Sequence, residues 1–210
     1  LFKTQLRALY RASAHGNLRI MLPLISGMQE INDTLVIIED VKSELRKKRQ
    51  PFRDTVPVGI MIEVPSAAMT SDILAKRSAF FSIGTNDLIQ YTIAVDRGNE
   101  NIAYLYKPLH PGVLRMLKLV IENAHKAGIP VAMCGEMAGD PLYALVLLGL
   151  GLDEFSMSSI GIPEVKEVIR RASVADAEEF VGRIMEMSST SEIETYVRSF
   201  MEERFAITNN

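Results

Sequence analysis

The spacing of apolar positions changes along the chain, and each change marks an element. Over residues 2 to 14, Leu6, Leu9 and Tyr10 recur at helical spacing among Lys3, Arg7 and Arg11, and Gly16 follows as a stop. A compact apolar run from Leu18 to Ile25 predicts a strand. Met28, Ile31, Leu35, Ile38 and Val41 then trace a helix that ends in the basic stretch Arg46 to Arg49. The phrase repeats down the sequence. Strands are predicted at Val58–Ile62, Phe80–Ile83, Pro130–Met133 and Phe155–Met157, and helices at 65–76, 112–127, 141–150 and Pro163–Arg171. The last helix opens on proline, which a first helical turn tolerates. Two more amphipathic helices fill 174–205 and are expected to pad the sheet, leaving 208–210 as a tail.

Strand alternating with helix predicts an α/β protein with a parallel sheet covered on both faces, which explains strands that read as continuous apolar runs. About five strands are visible, whereas a closed (β/α)8 barrel needs eight and typically ~250 residues. The first residues carry neither an initiator methionine nor a signal-peptide pattern, so an internal start is expected.

Composition narrows the function classes. The 210 residues are 48% hydrophobic and 23% charged with a net charge of −3, and the basic residues are scattered among carboxylates. Such a chain presents no field for nucleic acid or an acidic membrane, and no apolar run suits a bilayer. A lone cysteine, Cys134, fits a reducing cytoplasm and leaves its thiol to be explained.

Polar groups gather where strands end. Glu63 follows GIMI, Asn86 and Asp87 follow FFSIGT, Cys134 and Glu136 follow PVAM, and Ser156, Ser158 and Ser159 interleave the last strand. In parallel α/β architectures those ends form the active face. Glu63 and Asp87 are hard oxygen donors of the kind Mg2+ takes while keeping positions for substrate and water; each could equally cap the following helix. Gly84 to Asp87 reads as an anion-approaching loop or as a plain turn. Arg97, in a loop ending Gly98-Asn99, offers a planar fork for phosphate or carboxylate, or else pairs at the surface with Asp96. Cys134 is a nucleophile, acid or base, or an inert core thiol. His15, His110 and His125 show no metal-ligand spacing.

FFSIGTNDLIQYTIAVDRGN from Phe80 to Asn99, GIMIEVPSAA, VAMCGEMAGD and LDEFSMSS resemble segments of the phosphoenolpyruvate-binding barrel domain of enzyme I, the phosphoenolpyruvate-protein phosphotransferase of the bacterial sugar phosphotransferase system. The resemblance implies a phosphoenolpyruvate/pyruvate-type TIM barrel lacking its beginning, with residues 1–207 as its C-terminal two-thirds. It implies Glu63 and Asp87 as Mg2+ ligands, Asn86, Asp87 and Arg97 as phosphoenolpyruvate contacts, and Cys134 as the proton donor that makes pyruvate. The partners it implies are a phosphohistidine domain, HPr through that domain, and a second copy in a homodimer. Two further substrate arginines and the acceptor histidine of the family have no counterpart in this sequence, so the isolated chain is expected to have little or no phosphotransferase activity. Dikinase-type relatives, pyruvate phosphate dikinase and phosphoenolpyruvate synthase, share the GTND loop and a CGE-type segment and give a neighbouring reading. A non-catalytic binding or dimerisation module gives another.

Overall fold

The computed structural model describes residues 1–207; the tail expected at 208–210 lies outside them. Five strands form one sheet in the order β1 to β5, each parallel to its neighbour. They are β1 (Ile20–Leu22), β2 (Val58–Ile62), β3 (Phe81–Gly84), β4 (Val131–Cys134) and β5 (Glu154–Phe155). Parallel strands that follow one another in space as in sequence, each joined to the next through helix, have the order of a (β/α) barrel.

The register separates the two faces. Leu22, Ile60, Phe81 and Val131 stand abreast, and with Ile20, Ile62, Ile83 and Met133 they are buried in the core under the helices. Met61, Ser82, Ala132 and Glu154 stand abreast on the other face, where Met21 is 39% exposed. Helical coverage of both faces, expected from the apolar runs, is therefore replaced by one helix-covered face and a second face that carries Met21, Gly59, Met61, Ser82, Ala132 and Glu154. A Cβ on Gly59 would lie 2.6 Å from the Phe80 ring, so glycine there makes room for an aromatic side chain lying against the strand.

The strands are shorter than their apolar runs. Pro23 has no N–H to donate and Leu24 adopts a left-handed φ of 52°, which ends β1 at Leu22. β5 stops at Phe155, although Ser156 N still donates to Met133 O at 2.9 Å, so Ser156, Ser158 and Ser159 lie in the loop beyond the strand.

α1 (Phe2–Ser13) packs on α2 (Met28–Lys47), and α6 (Pro111–Lys126) lies over β4. The helix expected at 65–76 is divided into α3 (Pro65–Met69), α4 (Ser71–Leu74) and a 3-10 turn. Thr70 breaks it, with its hydroxyl donating back to Ser66 O at 2.8 Å. Two helices absent from the sequence reading follow strand ends, α5 (Thr85–Ile93) and the single turn α7 (Glu136–Gly139). α8 (Pro141–Gly149) is apolar nearly all round because it lies between layers, and α9 (Ile162–Arg171) follows. α10 (Val174–Glu186) and α11 (Thr190–Phe205) pack on α8 rather than on the sheet, with Phe180 stacked on Tyr196 at 5.3 Å. Among the described residues no helix is long and apolar enough to cross a membrane.

Candidate functional site

The carboxyl ends of β2, β3 and β4 carry the polar residues singled out by the sequence. Cys134 stands opposite Gly84 as the last residue of β4, one rung above Ser82 on the face free of helices. Glu63 belongs to the same rung, because a Cβ on Gly84 would lie 2.8 Å from Glu63 Oε2 and 2.9 Å from Met61 Sδ. Glycine at 84 therefore serves space: it lets a buried carboxyl cross the end of β3.

Glu63 is 5% exposed and accepts a hydrogen bond from Leu24 N at 2.7 Å, so the strained turn after β1 holds its orientation. It does not cap α3, whose N-cap residue is Val64. Burial pushes the Glu63 carboxyl above the usual range; the Leu24 bond opposes that shift, and Asp87, beside it in the first turn of α5, adds to it. Two carboxylates forced together, one of them buried, form a donor set that a hard divalent cation relieves.

The loops are laced to one another. Asn86 Oδ1 accepts from Glu136 N at 3.1 Å, Thr85 Oγ1 donates to Cys134 O at 3.3 Å, and Tyr106 Oη donates to Asn86 O at 3.4 Å. Gly135 permits this lacing: its φ is +111°, and a Cβ there would lie 2.5 Å from Thr85 Oγ1. The amide Nδ2 of Asn86 makes no hydrogen bond among the described residues and remains a donor.

Arg97 reaches across to Glu136, Nη1 to Oε1 at 3.6 Å, and its backbone N donates to Gln90 Oε1 at 3.2 Å. The surface pairing with Asp96 is not formed, since Asp96 Oδ1 instead accepts from Gly98 N at 2.9 Å. Asp87, Gln90, Arg97, Tyr106 and Glu136 border a cavity of about 650 Å³. Beyond Glu136 a second hollow of about 750 Å³ is bordered by Asn86, Cys134, Glu136, Ser156 and Ser158. The fold thus brings Asp87 and Arg97 to the first hollow and Asn86 and Cys134 to the second, with Glu63 buried beside Asp87 at the same end of the sheet.

Sequence reasoning missed Tyr106 and Gln90. Burial, with Glu136 nearby, pushes the Tyr106 phenol up to about 12, so it stays a neutral donor. Tyr106 follows a 3-10 turn in an irregular segment with no periodicity to flag it. Gln90, one turn along α5 from Asn86, becomes legible only once α5 is seen to be a helix. His110 caps α6 through Nδ1, which accepts from Gly112 N at 3.0 Å, and His125 Nε2 lies 3.0 Å from Asp153, so neither serves this site.

Residues 1–174 match the family model described as PEP-utilising enzyme, PEP-binding domain. The chain is 50% identical over 198 residues to the phosphoenolpyruvate-protein phosphotransferase of Bacillus subtilis, covering 94% of this chain and 35% of that protein. It is 47% identical over 203 residues to the protein of that name from Haemophilus influenzae, covering 97% and 35%. It therefore spans about a third of the length of these relatives. Among solved structures, a citrate lyase from Burkholderia xenovorans superposes with a TM-score of 0.57 at 16% identity over 96% of this chain and 68% of that one, a likeness of fold alone.

Proposed function

This chain belongs to the PEP-binding domain family of PEP-utilising enzymes, and we propose that it is the phosphoenolpyruvate- and Mg2+-binding portion of a phosphoenolpyruvate-protein phosphotransferase. The observation that carries this reading is the buried Glu63 carboxyl, held by Leu24 N at the end of β2 with Asp87 in the first turn of α5 beside it, and with Arg97 and Cys134 bordering adjoining hollows.

Glu63 and Asp87 would hold the cation. A bound Mg2+ would supply neutralisation of the charge on the substrate's phosphate and carboxylate oxygens. Arg97 exchanges Glu136 for the substrate, because a dianionic phosphate offers its fork a bidentate partner that one exposed carboxylate at 3.6 Å does not. Asn86 Nδ2 donates to a substrate oxygen while Oδ1 keeps the loop in place. These groups position the phosphoryl group and stabilise its developing charge, which is most of what phosphoryl transfer asks of a protein.

When the phosphoryl group leaves, enolpyruvate remains. Cys134, bordering the hollow beside Asn86, delivers its thiol proton to the methylene carbon and completes pyruvate. None of His15, His110 and His125 is proposed as the phosphoryl acceptor; a phosphohistidine domain and, through it, HPr fill that role in this reading. A homodimer belongs to the same reading, supported by the exposed Tyr91, Tyr104 and Leu105 on and after α5. Cytoplasmic placement belongs to it as well. Cys134→Ala, introduced into a full-length protein carrying this domain, is expected to slow pyruvate formation about 100-fold or more. Unchanged pyruvate formation would remove the proton-donor role.

A further inference from the structure

Ser82 is the polar residue of β3, otherwise Phe81, Ile83 and Gly84, and it is 6% exposed. Its register partner Ala132 carries no polar side-chain atom. Among the described residues the Ser82 hydroxyl has one hydrogen-bond partner, the sulfur of Cys134 at 3.5 Å, an ordinary O–H to sulfur separation. A buried hydroxyl left without a partner is destabilising, and alanine would fit the strand as well. The hydroxyl therefore serves the sulfur.

We infer that Ser82 is a positioning residue for Cys134: its O–H aims the thiol and, once the proton has left, donates to the thiolate. This rests on the proton-donor reading of Cys134. In that step the S–H proton goes to the methylene carbon of enolpyruvate, whose π electron pair becomes the new C–H bond, and the S–H pair stays on sulfur. The charge then appears on an atom that shares its hollow with Glu136 and Asp140, at the end of the sheet where Glu63 follows β2 and Asp87 opens α5. Glu154 lies lower on β5, and Arg97 is engaged with Glu136. A neutral donor from below stabilises the thiolate without adding to those carboxylates.

Cys134 is the only cysteine in the chain, so thiolate ultraviolet absorbance or alkylation by iodoacetamide against pH reports it alone. Ser82→Ala is expected to raise the thiol pKa by about one unit, the differential worth of one hydrogen bond to the charged form. Ser82→Thr, which keeps the hydroxyl and suits a strand, is expected to restore it. The surrounding carboxylates are the same in all three proteins, so a shift that follows the hydroxyl belongs to Ser82. An unchanged pKa in Ser82→Ala overturns the assignment, and so does a rise that Ser82→Thr leaves in place. The titration needs neither metal nor phosphoenolpyruvate, so its result is separate from that of Cys134→Ala in pyruvate formation.

Discussion

Glu63 has three constraints on one carboxyl: burial, the Leu24 bond and the Asp87 carboxylate. Burial raises its pKa, so the folded chain holds this proton more tightly than the unfolded chain does. The fold is then most favoured by this group below the ordinary carboxylate range and loses stability as pH climbs from that range through the raised value. A bound cation favours the charged form and reverses the penalty. Glu63→Gln keeps an oxygen for Leu24 N and removes the charge. At neutral pH without metal it is expected to raise the thermal midpoint by about 2–4 °C, the scale of ~1 kcal/mol in a domain of this size. In acid below the ordinary range the gain should vanish, and Mg2+ should stabilise the wild-type chain but not the variant. A wild-type melt indifferent to pH and Mg2+ would contradict this reading of Glu63.

Among elements, close approach and open space give opposite outcomes for the same chemical change. A Cβ on Gly149, at the end of α8, would lie 2.1 Å from the carbonyl oxygen of Ala177 in α10, so Gly149→Ala must push α8 and α10 apart. It is expected to cost about 1–3 kcal/mol or more in denaturant unfolding. Gly182, inside α10, has nothing within 4 Å of where a methyl group would stand, and Gly182→Ala is expected to stabilise by about 0.5–1 kcal/mol. Equal effects would show that α10 does not seat on α8. Elements are legible in the sequence where periodicity is long: α1, α2 and α6 fall within or close to the stretches 2–14, Met28 to Arg49 and 112–127, and α10 and α11 fill the predicted 174–205. α5 is not legible, because Gly84, Thr85, Asn86 and Asp87 are residues that turns and helix starts both prefer, and only Leu88 and Ile89 packed in the core decide for a helix. Strand ends are blurred for a related reason: an apolar run such as Leu18–Ile25 continues past the point where Pro23 and Leu24 end the ladder.

Across the molecule, five parallel strands in sequential order collect residues up to seventy-one positions apart, Glu63 to Cys134, at one end of a sheet. Glu63, Asn86, Asp87, Arg97 and Cys134 are legible in the sequence through the apolar runs they follow or end, or through the loop motif that holds them. Nothing in it signals that Glu136 tethers Arg97 or that Ser82 meets the Cys134 sulfur, since both contacts join different elements. Charge makes ligand binding conditional: a net negative chain attracts no anion as a whole, and the Glu63–Asp87 pair repels one until a cation intervenes. Phosphoenolpyruvate should therefore bind only with the metal. Calorimetric titration of phosphoenolpyruvate into the chain, with Mg2+ and with a chelator, and repeated for Glu63→Gln, measures this. Binding heat is expected with Mg2+ in the wild-type chain, none with chelator, and none in Glu63→Gln under either condition; equal binding with and without metal, or Mg2+-dependent binding that survives Glu63→Gln, would contradict a metal-gated phosphoenolpyruvate site.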